Sequence, residues 1–141
     1  LTAMIKNFVA SHPHARAYQS LGQLRYLSCM QFVDGVVGNS SSGLAEAPSM
    51  KIGTINIGDR QKGRLAADSV LQCAPDRESI RHALQDLYAP AFRASLAQTI
   101  NPYGDGGASR KIAQVLRDHP LDNLLKKTFF DLPVPDDGHE Y

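Results

Sequence analysis

Apolar positions along this chain change their period several times, and each change marks an element. From Leu1 to Ser11, Met4, Ile5, Phe8 and Val9 recur near helical spacing, which predicts the end of an amphipathic helix. Pro13 forbids its continuation. His14 to Ser20 is short and mixed, and Ala15, Ala17 and Tyr18 predict a modest strand there. Gly22 breaks the chain. Gln23 to Phe32 then sets Leu24, Leu27, Cys29 and Met30 on one broad apolar side, as in a helix covering a sheet. Val33 to Gly38 and Thr54 to Ile57 are apolar without clean alternation, the mark of strands inside a parallel sheet. Ser69 to Cys73 predicts a last strand.

The second half reads as helices. Pro75 and Asp76 open one of them, since proline fits a first turn and Asp76 with Glu78 suits the positive end. Ile80, Ala83, Leu84 and Leu87 follow at spacings of three and four, a face for the sheet. Pro90 interrupts, and Ala91 to Thr99 predicts a second short helix. Asn101 to Gly107 is a loop of turn formers, fit either to close over a ligand or to join two helices. Ser109 to Asp118 predicts a helix with Ile112, Val115 and Leu116 inward, ended by Pro120. Leu121 to Phe130, with Leu124, Leu125, Phe129 and Phe130, predicts a helix that needs a hydrophobic partner, and the tail PVPDDGHEY is polar and proline-rich. The order β–α–β–α–β–β–α–α–α predicts an α/β domain, a parallel sheet with helices on both faces.

The candidate chemistry lies between Val33 and Arg64. A strand ends at Gly38, and the polar cluster Asn39, Ser40, Ser41, Ser42, Gly43 follows it. Helix formers Leu44 to Ala47 come next, then a strand ending at Gly58, then Arg60, Lys62 and Arg64. The first N–H groups of a helix lack internal partners, and small residues let an anion approach them. The three serines add hydroxyls, and the basic residues bring charge from the next loop. If the two strands are parallel, both loops lie at the carboxyl edge, where open α/β sheets bind ligands. A serine turn before a helix also serves as a plain N-cap. Neither GxGxxG nor GxxxxGK[ST] is present.

Composition narrows the classes. The 141 residues suffice for one compact domain, with 43% hydrophobic and 21% charged residues and a formal net charge of +1. That charge predicts neither nucleic-acid nor membrane attraction, and no apolar run is long enough for a spanning helix. A first residue Leu1 rather than methionine predicts a fragment of a longer chain. Cys29 and Cys73 lack metal-ligand spacing and sit in apolar surroundings, so buried free thiols in a reducing cytoplasm are expected. His12 and His14 flank Pro13 without further ligands, a loop role. No metal is expected.

GNSSSGLAEAPS, TINIGDRQKGR and NPYGDGGASRKI, in that order, closely resemble the hydrolysing UDP-N-acetylglucosamine 2-epimerases of sialic acid biosynthesis. The resemblance covers about residues 1–130 and matches only the C-terminal part of such an enzyme. It implies a C-terminal, Rossmann-like domain of the two-domain GT-B fold, truncated at its N-terminal side; residues 131–141, outside the resemblance, are expected from their composition to be a mobile polar tail. It implies a UDP site in which Ser40 and Ser41 hold the diphosphate, with Ser42 beside them. Glu46 matches the glutamate bonding the ribose hydroxyls, and Arg60 an arginine of the same site. It implies conversion of UDP-N-acetylglucosamine to N-acetylmannosamine and UDP in a cytoplasmic enzyme, with no cofactor. The catalytic carboxylates are assigned to an N-terminal domain outside this chain, and a homo-oligomer stays open for the full-length form. Two positions depart from the pattern. Gly53 replaces a usual proline, which is expected to loosen the strand entry, and Gly107 stands where asparagine is frequent.

Two other readings stand beside this one. A GT-B glycosyltransferase would keep the sugar nucleotide and change the reaction, since a fold does not fix its chemistry. RQKGR and NPYGDG together favour the epimerase. A non-catalytic UDP-binding module would fit the literal 141 residues. Asp59 and Asp105, the other acidic residues near these loops, read as turn or capping residues.

Overall fold

The structure is a computed structural model that describes residues 2–120 and Asp122. They fall into two compact units, one running to Asp105 and one from Gly106. The first unit holds helix α1 (Thr2–Ser11), helix α2 (Gly22–Met30), strand β1 (Gly35–Gly38) and the single turn of helix α3 (Ser42–Ala45). A 3-10 turn (Ala47–Met50), strand β2 (Gly53–Ile57), strand β3 (Val70–Cys73), helix α4 (Arg77–Tyr88), helix α5 (Pro90–Ser95) and a second 3-10 turn (Leu96–Gln98) complete it.

The three strands form one parallel sheet in the order β1-β2-β3, with Val37 beside Ile55 and Ile55 beside Leu71. β2 is central and covered on both faces, so its polar Thr54 and Asn56 are buried along with Ile55. Each face has its own core. Met30, Ala47 and Ile52 are buried on one side, with Tyr26, Leu27, Val36 and Met50 packed on them. Ile55, Ala83 and Leu87 are buried on the other, with Ile57, Leu71, Cys73 and Phe92. α2 therefore covers one face and α4 the opposite one, the α/β arrangement that the sequence predicts.

Where small residues interrupt the strands, a helix comes close. A Cβ on Gly53 would lie 2.4 Å from Leu87 Cδ1 and 2.9 Å from Phe92 Cε1. Gly53 therefore does not loosen the entry of β2; it lets α4 and α5 settle onto it. Pro90 interrupts as expected but serves as the opening residue of α5.

Several expectations are overturned. Residues 14–20 form no strand; apart from half-buried Ala15 they are exposed, so no apolar face anchors them to the sheet. Leu24 is 80% exposed and Cys29 is also exposed, because α2 turns only its Tyr26, Leu27 and Met30 side inward. Cys29 is thus not a buried thiol. Cys73 is half-buried, and burial first, then the negative charge of Asp76, pushes its thiol pKa up.

The second unit, in its described part, carries helix α6 (Ala108–Asp118), preceded by Gly107 at φ +76°. Asparagine tolerates that left-handed conformation better than most residues, so glycine for asparagine is a conformationally mild exchange. Ile112, Val115 and Leu116 do form one stripe, but they are exposed rather than inward. The expected helix at 121–130 and the tail at 131–141 lie outside the described residues, Asp122 excepted.

α4 begins at Arg77, so Pro75 precedes the helix rather than sitting in its first turn, and Asp76 is the N-cap: Oδ1 accepts from the Ser79 backbone N–H at 2.8 Å and Oδ2 from the Ser79 hydroxyl at 2.7 Å. These bonds to Ser79, backbone first, hold its carboxyl below the ordinary aspartate range. A depressed folded-state pKa stabilises the protein above the unfolded value, and that contribution fades as pH falls through the folded value. Asp76→Asn keeps a capping oxygen. We expect it to leave neutral stability nearly unchanged and to flatten the acid limb below about pH 4, near the unperturbed aspartate pKa, in denaturant melts. Glu78, lowered chiefly by Arg81, keeps its share of that limb. An acid limb identical to wild type would show that the cap adds no pH dependence.

Candidate functional site

The turn after β1 and the loop after β2 emerge at the same carboxyl edge, because the two strands are parallel. Asn39, Ser40 and Ser41 are exposed there, and α3 begins at once with Ser42. The helix is only four residues long, so the anion-attracting end expected from a longer helix is reduced to the local N–H groups of one turn. Ser41 occupies the N-cap position yet makes no side-chain cap bond. The plain capping role is therefore not what its hydroxyl does. Ser40 Oγ accepts weakly from the Ser42 N–H at 3.3 Å, and Ser40 O accepts from Gly43 N–H at 3.2 Å.

The basic loop reaches back to this turn. Arg60 Nη1 lies 3.4 Å from Asn39 Oδ1 and 3.5 Å from Asn39 O, contacts long enough to release it to a better acceptor. Gln61 makes the firm link: its Nε2 donates to Asn39 O at 2.8 Å, and the residue is 6% exposed. Lys62 and Arg64 stay exposed and line a cleft of about 340 Å³ with Asp59, Gln61 and Gln72. The edge thus carries exposed cations beside a serine turn, a setting for a multiply charged anion.

Ser42 and Glu46 behave differently from Ser40 and Ser41. Ser42 Oγ donates to Glu46 Oε2 at 2.5 Å, across one turn of backbone, and lies 2.7 Å from the Tyr26 hydroxyl. Its hydroxyl is committed to Glu46 and not displayed with those of its neighbours. Glu46 in turn lines a cavity of about 510 Å³ with Tyr18, Ser20, Gly22, Gln23 and Tyr26.

The NPYGDG loop is braced against its surroundings by side-chain hydrogen bonds. Asn101 Nδ2 donates to Ala45 O at 2.8 Å and Ser49 Oγ at 2.6 Å. Its Oδ1 accepts from the Tyr103 N–H at 2.9 Å, while the Tyr103 hydroxyl donates to Leu65 O at 3.0 Å. One loop thereby ties α3 to the basic segment. A cavity of about 520 Å³ opens beside it, lined by Ser49, Lys51, Thr99, Asn101 and Asp105. Its cationic and amide donors are used by the fold, since Lys51 Nζ donates to Thr99 O and Asn101 holds Ala45. We therefore place the candidate site at the serine turn.

Tyr26, Gln61, Asn101 and Tyr103 were not singled out by sequence reasoning. Gln61, Asn101 and Tyr103 lie inside the recognised motifs; Tyr26 has no local signal, because its partner is 16 residues away. Among the described residues no group of three His, Cys, Asp or Glu side chains is placed to hold a metal ion. No described helix is long and apolar enough to cross a membrane.

Comparison with known proteins gives this edge its context. Residues 1–117 match the family described as UDP-N-acetylglucosamine 2-epimerase. The chain is 35% identical over 134 residues to the GDP/UDP-N,N'-diacetylbacillosamine 2-epimerase (hydrolyzing) of Campylobacter jejuni, covering 94% of this chain and 34% of that protein. It is 36% identical over 109 residues to the polysialic acid biosynthesis protein P7 of Escherichia coli, covering 77% and 28%. It is 33% identical over 115 residues to the UDP-N,N'-diacetylbacillosamine 2-epimerase (hydrolyzing) of Legionella pneumophila, covering 81% and 29%. The matched stretch spans about a third or less of each relative's length. Residues 1–117 contain all of the serine turn, Glu46, the basic loop and NPYGDG, and on the footing of that family match the chain belongs to the UDP-N-acetylglucosamine 2-epimerase family.

Proposed function

We propose that this chain is the UDP-binding portion of a hydrolysing UDP-sugar 2-epimerase, the C-terminal domain of a GT-B enzyme acting in the cytoplasm. In the full-length enzyme the reaction releases UDP and the 2-epimerised sugar, N-acetylmannosamine when the substrate is UDP-N-acetylglucosamine. The observation that carries the reading is that Arg60 reaches Asn39, the first residue of the turn that holds Ser40 and Ser41 at the carboxyl edge, with Glu46 at the far end of α3. In this reading the serine turn and Arg60 take the diphosphate, Glu46 takes the ribose, and the cavity beyond Glu46 takes the base. Ser42 belongs to the same UDP site, contributing its backbone to the turn and its hydroxyl to Glu46. The sugar projects away from this grip, so proton transfer at its C2 falls to carboxylates outside these residues.

Two of the three relatives carry N,N'-diacetylbacillosamine in their names. That favours a second substrate, the nucleotide of a diacetamido sugar, with the same UDP site. Parallel turnover of both sugar nucleotides by the full-length protein separates the two.

Titration with UDP tests the site itself. We expect the amide resonances of Ser40, Ser41 and Glu46 to move at millimolar UDP; no movement there would overturn the reading. Arg60→Ala is expected to weaken UDP about tenfold, the low end for a charge-assisted contact because Arg60 is exposed, and uridine hardly at all. Equal losses for UDP and uridine would give Arg60 a purely structural role.

A further inference from the structure

Tyr26 stands on α2, on the face that packs into the first core, and its hydroxyl reaches out of that core to Ser42. The proton order of the chain is set by chemistry. A carboxylate accepts only, so the one proton of Ser42 Oγ goes to Glu46 Oε2. Ser42 Oγ then has only lone pairs left for Tyr26, and the Tyr26 hydroxyl must donate. The result is a directed relay, Tyr26 to Ser42 to Glu46, in which each bond polarises the next. Glu46 Oε1 has no hydrogen-bond partner among the described residues, and Glu46 lines the cavity that Tyr26 also lines.

Taking the nucleotide reading of the site as its basis, we propose that Tyr26 is a positioning residue. Acting through Ser42, it holds Glu46 in one rotamer, leaving Oε1 to accept from a ribose hydroxyl and making the site selective for ribose over deoxyribose nucleotides. A half-buried glutamate at the end of a one-turn helix otherwise has several rotamers open to it, and fixing one in advance spares that entropy on binding. The tyrosine suits the task because its ring packs in the core while its polar tip reaches a partner.

The test uses the full chain and the Tyr26→Phe variant, which keeps the ring and removes only the hydroxyl. Two quantities are read. Three-bond couplings to Glu46 Cγ in the ligand-free protein report its rotamer. The affinity ratio for UDP over its dideoxyribose analogue reports recognition of the ribose hydroxyls. In wild type we expect couplings of a single rotamer and a ratio of about fivefold, the size of one net hydrogen bond. In Tyr26→Phe the couplings average and the ratio falls toward one, while the UDP-induced shifts of Ser40 and Ser41 persist. Ser42→Ala reproduces both changes, and Ser42→Thr restores them. A purely packing role for Tyr26 would move neither quantity, so unchanged couplings and ratio overturn the relay. Failure of wild type to bind UDP overturns the nucleotide reading and, with it, the ribose selectivity; the couplings still decide the relay.

Discussion

Gly43→Ala is expected to destabilise this chain by about 1–3 kcal/mol, the usual cost of forcing extra atoms into a packed site, and to abolish detectable UDP binding. A Cβ at this position would lie 2.5 Å from Thr54 Cγ2. Thr54 cannot easily give way. It is 2% exposed on the central strand, and its hydroxyl donates to Gly43 O at 2.9 Å. Rotating its methyl aside sacrifices that bond and leaves a buried donor unpaired. The alternative is for α3 to lift off the sheet, and α3 carries Ser42 and begins the turn ending at Glu46. Denaturant melts and a UDP titration measure the two effects. Thr54→Ser in the same chain removes the obstructing methyl and keeps the hydroxyl, so the double variant should recover most of both losses. Wild-type stability and binding in Gly43→Ala alone would mean that the close approach of α3 to β2 does not matter.

The 141-residue chain alone is expected to show no turnover of UDP-N-acetylglucosamine, even when saturated. The proposed site grips the part of the substrate that leaves: base, ribose and diphosphate. Gripping substrate and transition state equally does not speed the chemical step. The step needs acid and base groups within hydrogen-bond reach of the reacting sugar atoms. Of the acidic residues near the site, Glu46 is committed through Oε2 to Ser42, and Asp59 and Asp105 are exposed on separate loops. In the full-length protein the same residues become necessary, and Glu46→Ala there should raise the Michaelis constant and lower turnover as far as the nucleotide grip orients the sugar. Sustained release of UDP and N-acetylmannosamine by the purified 141-residue chain, abolished by Glu46→Ala, would place the catalytic groups among these residues.

The elements of this domain that the sequence determined are those with a local cause. Asp76 caps α4 through a residue three positions on, Pro90 opens α5, and Gly58 closes β2 at a positive φ of 76°. The runs at Val33–Gly38 and Thr54–Ile57 announced a parallel sheet, and on the central strand, covered on both faces, even the polar Thr54 and Asn56 are buried. The motifs around Ser40, Arg60 and Asn101 identified the family, since that information is carried by residue order alone.

What required tertiary structure is the direction in which each side chain is used. An apolar stripe shows that a helix has a face, not that anything covers it; hence Ile112, Val115 and Leu116 on α6 are exposed, as is Leu24 on α2. The mixed residues 14–20 carried too weak a pattern to tell a strand from a connecting loop. Three consecutive serines look alike in sequence, yet Ser41 is left uncapping at the edge while Ser42 turns inward to Glu46 and Tyr26. The Tyr26–Ser42 bond, like Gln61 on Asn39 at a separation of 22 residues and Asn101 on Ala45 at 56, joins segments far apart in the chain. Local propensity carries no record of such pairings, which exist only once the parallel register has brought the loops to one edge.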